Sequence, residues 1–370
     1  MNKIMYVVNV DWFFISHRLP IALNASKNGY EVHLVCVDTG KCDLLENLGL
    51  RVHRIKMSRS GIHLLSELKS LFSIFLIIRS VKPDIIHGIT IKSVVYSSLI
   101  SRIFGVPKRV FSICGLGYVF IDSSSTAMLL RKIISRLLKL GLYNSNSTVI
   151  FQNATDRKLF VDHNIVHPSS ACLIRGSGVD LSEYVYSPIK GGRPSVIFLA
   201  RLLKDKGVIE FCEAVKILKD NYPSVDFVLV GDLDLENPNS MSSEELNSYV
   251  NDGFVRYIGY REDIPQVISS SSIVVLPSYR EGLPKSLIEA AACGRAVVTT
   301  DVPGCRDAIL PNETGLLIPA KSILDLARAI EKLLLDPEMT SEMGKRGRQF
   351  AEDVFSIEDV IKKHMEIYEQ

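Results

Sequence analysis

The chain has 370 residues, 47% of them hydrophobic and 23% charged, which excludes a disordered or low-complexity protein and a small disulfide-stapled scaffold. That length predicts two domains. With 43 Lys and Arg against 41 Asp and Glu, the net charge of +2 excludes a uniformly basic surface, and no nucleic-acid partner is expected.

In chain order, β-branched runs predict strands at Ile4–Val10, Glu31–Val37, Arg51–Ile55, Asp84–His87, Arg109–Ser112, Thr148–Phe151 and Ala171–Ile174. Amphipathic helical patterns fill most of the gaps. Arg175–Pro194 holds four glycines and two prolines with little periodicity, and it reads as a linker. A second series of strands follows at Ser195–Ala200, Phe227–Gly231, Val255–Ile258, Ile273–Leu276, Ala296–Thr299 and Gly315–Ile318. Three helices close the chain, near Leu324–Leu335, Thr340–Val354 and Ile357–Tyr368.

This is the alternation of parallel α/β domains, and two such units predict a ligand cleft at the carboxyl ends of their strands. The expected division is an N-terminal Rossmann-like domain over 1–180, a second over 181–355, and a last helix over 356–370 packing back toward the first. Met1 leads directly into the first strand. The seven cysteines are irregularly spaced, with no Cys-x-x-Cys pair and no zinc-type His cluster, so a reducing cytoplasm is expected. The longest apolar run, around Leu71–Ile78, is far short of the ~20 residues that cross a bilayer.

The most informative segment is Ser278-Tyr-Arg-Glu-Gly-Leu-Pro-Lys-Ser-Leu-Ile-Glu289. Pro284 suits a first helical turn, and a helix starting there directs free N–H groups at an anion such as a phosphate. Glu281 before the helix and Glu289 inside it are placed to accept hydrogen bonds from sugar hydroxyls. On spacing alone they read equally as a helix cap and a solvated side chain. Upstream, Ala200-Arg-Leu-Leu-Lys-Asp-Lys-Gly207 puts Arg201 and Lys206 at a strand end, where cations suit a diphosphate.

With both motifs in this order, the sequence resembles the family 4 glycosyltransferases of the GT-B fold, two Rossmann-like domains facing a central cleft. Their second domain carries a Glu-x7-Glu pair and an upstream Gly/Ala-Arg-Leu…Lys-Gly loop. The resemblance continues through Gly178-Val-Asp180, Gly231, Gly259-Tyr-Arg261 and Ala290-Ala-Ala-Cys-Gly294. It implies a retaining transferase in which Arg201 and Lys206 bind the donor diphosphate and Glu281 contacts the transferred sugar. Glu289 would hold the ribose hydroxyls, and Gly282, Leu283 and Pro284 would present backbone. Tyr260 and Arg261 would lie by the base. Retention in this family is commonly explained by front-side attack, the leaving phosphate taking the acceptor's proton. No metal or other cofactor is implied beyond the nucleotide-sugar co-substrate, expected to be UDP-linked. Asp232-Leu-Asp234 has the form of an Asp-x-Asp metal motif but reads as a turn-forming loop.

The first half lacks the paired glycines of the family's N-terminal loop and carries Asp11-Trp-Phe-Phe-Ile-Ser-His-Arg-Leu-Pro20 instead. Trp12, Phe13 and Phe14 could line an acceptor groove, rest on a membrane surface or pack in the core. Acceptor-side candidates are His17, Arg18, Lys92, Gly115 and Gly117, with His87 also expected near a strand end. His17 reads equally as a structural donor and Lys92 as a solvated helix residue. The combination of Ser16-His-Arg-Leu-Pro20, Lys92-Ser, Gly115-Leu-Gly117 and an Asp-x-x-Asn-Pro loop is similar to a bacterial subgroup of capsule, O-antigen and N-glycan transferases. The subgroup extends sugars on undecaprenyl diphosphate, several members using UDP-N-acetylgalactosamine; that donor and an α linkage are therefore expected.

A lipid-linked acceptor requires contact with an anionic bilayer, and the charge is sorted accordingly. Residues 1–180 hold 22 Lys and Arg against 11 Asp and Glu; the remainder holds 21 against 30. Met128–Leu140, with cations at 131, 132, 136 and 139, reads as a basic amphipathic helix for a membrane surface, and Ser66–Lys82 as a second. The expected location is cytoplasmic, peripheral at the inner face of the bacterial inner membrane. The competing readings are a catalytically silent nucleotide-sugar-binding partner of another transferase and a nucleotide-sugar epimerase of similar fold.

Overall fold

The computed structural model describes residues 2–57, 64–116, 125–144, 146–189 and 191–370. They form two compact units, 1–177 with 358–370, and 178–357. The first is built on strands β1 (Lys3–Val10), β2 (Glu31–Val37), β3 (Arg51–Arg54), β4 (Ile85–Ile89), β5 (Lys108–Ile113), β6 (Ser147–Phe151) and β7 (Ala171–Leu173). They lie in the order β3-β2-β1-β4-β5-β6-β7, every pairing parallel.

The helices of this unit are α1 (Asp11–His17), α2 (Leu19–Lys27), α3 (Cys42–Asn47), α4 (Leu64–Val81), α5 (Ile91–Ile103), α6 (Ser125–Leu142) and α7 (Ala154–Asp162). The period-two pleat of β1 divides its side chains between two cores. Ile4, Tyr6 and Val8 pack with Phe14 and Ile21, and Met5 and Val7 with Ile74, Ile78 and Val94. A parallel sheet covered on both faces explains why its strands read as unbroken apolar runs.

The second unit has β8 (Ser195–Leu199), β9 (Asp226–Val230), β10 (Arg256–Tyr257), β11 (Ile273–Leu276), β12 (Ala296–Thr300) and β13 (Gly315–Ile318), in the order β10-β9-β8-β11-β12-β13. Its helices are α8 (Val208–Lys219), α9 (Ser243–Asn251), α10 (Ile264–Ser269), α11 (Lys285–Ala292), α12 (Ile323–Leu335) and α13 (Pro337–Val354). The sheet is again parallel throughout. The final helix, α14 (Ile357–Glu369), sends Val360, Met365 and Tyr368 into the core of the first unit.

Two expectations change. The stretch read as a linker is anchored at its start, around Val179 and Tyr184. Val179 and Tyr184 are buried, the Val179 N–H donates to the Phe355 carbonyl at 2.8 Å, and Arg348 holds the Tyr184 carbonyl at 2.7 Å. Gly178 there serves close approach, since a Cβ on it, at φ +78°, would lie 2.8 Å from Ile357 Cα. His87, expected near a strand end, is fully buried inside β4. Its ring bonds the Tyr368 hydroxyl and Ser112 Oγ, both at 2.7 Å, so it anchors α14.

Candidate active site

In the second sheet β8 and β11 are neighbours whose onward connections run to opposite sides, the switch point where open α/β sheets bind ligands. The two loops that leave there are the ones that carry the sequence motifs. They are stitched together through backbone. Tyr279 N–H donates to the Asp205 carbonyl at 2.9 Å, Ser278 Oγ lies 3.0 Å from the same oxygen, and a Cβ on Gly207, at φ +78°, would sit 2.2 Å from the Pro277 carbonyl oxygen. Glycine is therefore required at 207 both by conformation and by space.

This stitching brings Lys206 onto Glu281. The two form an ion pair, with side chains 23% and 11% exposed, and Ser278 Oγ donates to the same carboxylate at 2.8 Å. A third loop supports Glu281 from behind. Its N–H donates to the Pro303 carbonyl at 3.1 Å, and Gly304, at φ +84°, leaves no room for a Cβ beside the Glu281 carbonyl oxygen, 2.5 Å away. Beneath lies Cys305, whose thiol is pushed up to about 12 by burial and the Glu281 charge. Asp205 is also held above the usual carboxylate range by burial, against the pull of Lys206.

The helix starts next to Pro284 as expected, with Pro284 one residue ahead of the first turn. This residue caps α11 with extended backbone (φ −71°, ψ 123°), so the helix begins at Lys285 and its first N–H groups follow Gly282 and Leu283. Glu289 is 6% exposed; its Oε1 accepts from the Tyr184 hydroxyl at 2.7 Å and faces Lys285 Nζ at 3.1 Å. Burial and the Glu289 charge raise the Tyr184 pKa, keeping it a neutral donor. Both contacts fall on Oε1, so Oε2 faces neither.

Arg201 pairs with Asp234 at 2.5 Å, and Asp232 accepts from the Tyr260 N–H at 3.0 Å and the Tyr257 hydroxyl at 3.4 Å. Both carboxylates of the Asp-x-Asp look-alike thus brace a loop and a cation. Gly231, at φ +131°, lets this loop cross Ala200, whose carbonyl oxygen would stand 2.0 Å from a Cβ. Tyr260 is 66% exposed, and the Arg261 guanidinium is gripped by Asp263 through two 2.7 Å bonds. Arg201, Lys206, Glu281 and the α11 start therefore converge on one sheet end. Tyr260 and Arg261 follow the edge strand β10, which β9 separates from β8.

In the first unit, His17 stacks on Phe13 with ring centroids 4.1 Å apart, and its Nδ1 lies 3.2 Å from the Phe13 carbonyl. Phe14 is core, while Trp12 and Phe13 are half-buried. Arg18 is buried, Lys92 pairs with Glu67 at 2.7 Å, and Gly115 has φ +117°. Gly117 lies outside the described residues. On α4, Leu65, Leu68, Phe72 and Leu76 form an exposed apolar stripe; on α6, Leu129, Ile133 and Leu140 stand exposed among Lys132, Arg136 and Lys139. Among the described residues no helix is long and apolar enough to cross a membrane. A cluster of Asp11, Asp38 and Cys42 has metal-like spacing, but the Asp11 oxygens already accept from the Trp12, Thr39 and Lys41 N–H groups at 2.7 to 3.0 Å.

Sequence reasoning missed Tyr184, Asp234 and Ser278 as partners of the motif residues. Ser278 stood inside the motif, and Asp234 was visible only as half of a metal look-alike. Tyr184 lies 105 residues from Glu289, beyond any local spacing rule.

The Glycosyl transferases group 1 family profile matches residues 185–350, and the Glycosyl transferase 4-like profile residues 3–153. The N,N'-diacetylbacillosaminyl-diphospho-undecaprenol alpha-1,3-N-acetylgalactosaminyltransferase of Campylobacter jejuni is 31% identical over 96% of this chain and 98% of its own. The UDP-Gal:alpha-D-GlcNAc-diphosphoundecaprenol alpha-1,3-galactosyltransferase of Escherichia coli is 26% identical over 92% of this chain and 89% of its own. Among solved structures, Anabaena HepE in complex with UDP and glucose superposes with a TM-score of 0.81 at 20% identity, covering 100% of both chains.

Proposed function

Because the chain belongs to the group 1, family 4 glycosyltransferases of the GT-B fold, and is thereby a glycosyltransferase, we propose that it transfers a hexose or N-acetylhexosamine, with retention, to an undecaprenyl-diphosphate-linked saccharide during bacterial surface-glycan assembly. N-acetylgalactosamine from UDP-N-acetylgalactosamine, in α linkage, is the donor we assign. The observation that carries this reading is the end-to-end 31% identity to the Campylobacter transferase.

In this reading the diphosphate lies over the start of α11, where unpaired N–H groups favour an anion. Arg201 and Lys206 neutralise the charge that builds on it as the glycosidic bond breaks, so no metal is assigned. Glu281 accepts a hydroxyl of the transferred sugar, and Glu289, oriented by Tyr184, accepts the ribose hydroxyls through Oε2. The departing phosphate oxygen takes the acceptor's proton. The exposed apolar stripes of α4 and α6, with the cations between them, rest on the cytoplasmic leaflet that presents the acceptor.

The test is a panel of UDP-hexoses and UDP-N-acetylhexosamines offered with an undecaprenyl-diphosphate-linked saccharide, with and without EDTA. Transfer from UDP-N-acetylgalactosamine unaffected by EDTA is expected. Preference for a gluco-configured donor overturns the donor assignment, strict divalent-metal dependence the metal-free one, and no transfer from any donor the whole reading.

A further inference from the structure

In sequence Ala200-Arg-Leu-Leu-Lys-Asp-Lys-Gly207 is a basic segment, yet in the fold each of its cations meets a carboxylate. Arg201 Nη1 lies 2.5 Å from Asp234 Oδ2, Lys204 Nζ lies 2.8 Å from Glu245 Oε1, and Lys206 pairs with Glu281. Two of these carboxylates have a further use. Glu245 closes the capping box of α9, and Glu281 is assigned to the transferred sugar. Asp234 does neither.

Its position is nevertheless firmly built. The Asp234 side chain is 10% exposed, against 40% for Arg201. Its N–H donates to Ser240 Oγ at 3.1 Å, and its carbonyl accepts from the Asn237 N–H at 2.7 Å. This turn is bonded to the chain that follows Arg201. The Leu202 N–H donates to the Asp232 carbonyl at 2.9 Å, the Lys204 N–H to the Asn239 carbonyl at 2.7 Å and the Met241 N–H to the Leu202 carbonyl at 2.8 Å. None of these bonds uses the Asp234 carboxylate, so the loop presents that charge to Arg201 without needing it for its own closure.

A guanidinium is a planar fork of five donors, and a carboxylate that fixes one edge fixes the direction of the others. The same carboxylate offsets the charge, and it repels any anion that reaches the guanidinium from another side. An arginine held in this way orients a diphosphate without gripping it. Release matters for this chemistry, because transfer leaves a nucleoside diphosphate where the donor's own diphosphate lay.

We propose that Asp234 is the counter-charge that sets how strongly the donor site holds a nucleoside diphosphate: it aims Arg201 and weakens its hold, so that the product leaves after transfer. Resting on the donor site assigned above, Asp234 is a positioning residue that acts on the diphosphate through Arg201.

Asp234→Asn keeps an acceptor for Arg201 and removes the charge. UDP, titrated calorimetrically into the full chain, is expected to bind about tenfold more tightly than in the wild type, the worth of one unit charge acting across a guanidinium in a half-exposed site. Uridine, measured by displacement, binds unchanged because it carries no phosphate, and UMP gains less than UDP. In steady state the donor KM and the UDP inhibition constant fall together, whereas a merely structural role for Asp234 loosens the site and raises both. UDP affinity that is unchanged or weaker in Asp234→Asn, or uridine that tightens as much as UDP, overturns the proposal. If Asp234→Asn does not fold, Asp234→Ser, uncharged and smaller, is read in the same way; failure of both to fold makes Asp234 a residue of the fold first and overturns the proposal as well.

Arg201→Ala separates this inference from the donor reading. Wild-type UDP affinity in that variant puts the diphosphate elsewhere and overturns the donor site and this inference with it. A loss of UDP affinity there, with no gain in Asp234→Asn, overturns the counter-charge alone.

Discussion

Lys206→Ala removes the cation that meets Glu281, and the structure separates what this does to stability from what it does to rate. Glu281 is only 11% exposed, and without Lys206 its charge keeps the Ser278 hydroxyl as its remaining side-chain bond. Stranding a mostly buried carboxylate in this way costs about 1–3 kcal/mol. In a unit of this size that lowers Tm by roughly 2–4 °C per kcal/mol. On the role proposed for Lys206, losing its charge costs about 10²–10³ in kcat, the loss typical of one preorganised electrostatic donor. The two effects part in the double variant Lys206→Ala/Glu281→Gln. A neutral amide beside Ser278 no longer strands a charge, so most of the lost Tm returns while activity stays low. Thermal unfolding and initial rates with the preferred nucleotide sugar read both quantities. Wild-type kcat in Lys206→Ala, or activity restored together with stability in the double variant, would refute the reasoning.

Tyr184→Phe deletes a hydroxyl that holds Oε1 of Glu289 at 2.7 Å, and a hydrogen bond to a charged group is worth about 1.5–3 kcal/mol. UDP affinity measured by calorimetry should fall about tenfold or more with thermal stability reduced in step, and an unchanged Kd would sever Tyr184 from the nucleotide. His87 and His364 are fully buried, and burial with the Arg18 charge nearby lowers both pKa values, that of His364 to about 3. Unfolding lets each take a proton below its ordinary value of about 6.5, so this stability is present above that pH and is lost on acidification by up to about 1.4 kcal/mol per pH unit per histidine. Urea unfolding at pH 7.5 and 5.5 should therefore show a smaller acid loss in His364→Leu than in the wild type; equal losses would count against a buried neutral histidine. Neutralising Lys132, Arg136 and Lys139 with Gln should weaken sedimentation with phosphatidylglycerol vesicles roughly hundredfold, at about 1 kcal/mol per cation near an anionic surface, whereas undiminished binding would place the membrane face elsewhere.

Where a site residue belongs to one loop, its setting was legible in the sequence; where it depends on a distant partner, it was not. Glu281, Gly282, Leu283 and Pro284 follow β11, a run of Ile-Val-Val-Leu whose β-branched residues read as a buried strand, so their place at a sheet end could be read directly. The sheet order was not legible. It is what sets β8 beside β11 and so Lys206 on Glu281, 75 residues apart. Glycines marked the close approaches without naming the other side. Gly207 needs Pro277, Gly231 needs Ala200 and Gly304 needs Glu281, each pair joining segments that no local pattern links. Buried polar groups were harder still. A lone Arg18 or His87 reads as a site candidate because charge and imidazole are scarce in cores, yet the structure sends the two in different directions. His87 has both ring nitrogens filled by Tyr368 and Ser112, which accounts for it as an anchor of α14. Arg18 has neutral partners and an unfilled Nε, which does not account for a buried cation. The distinction between a satisfied and an unsatisfied buried group exists only in three dimensions, because the partners that decide it come from segments far apart in the chain.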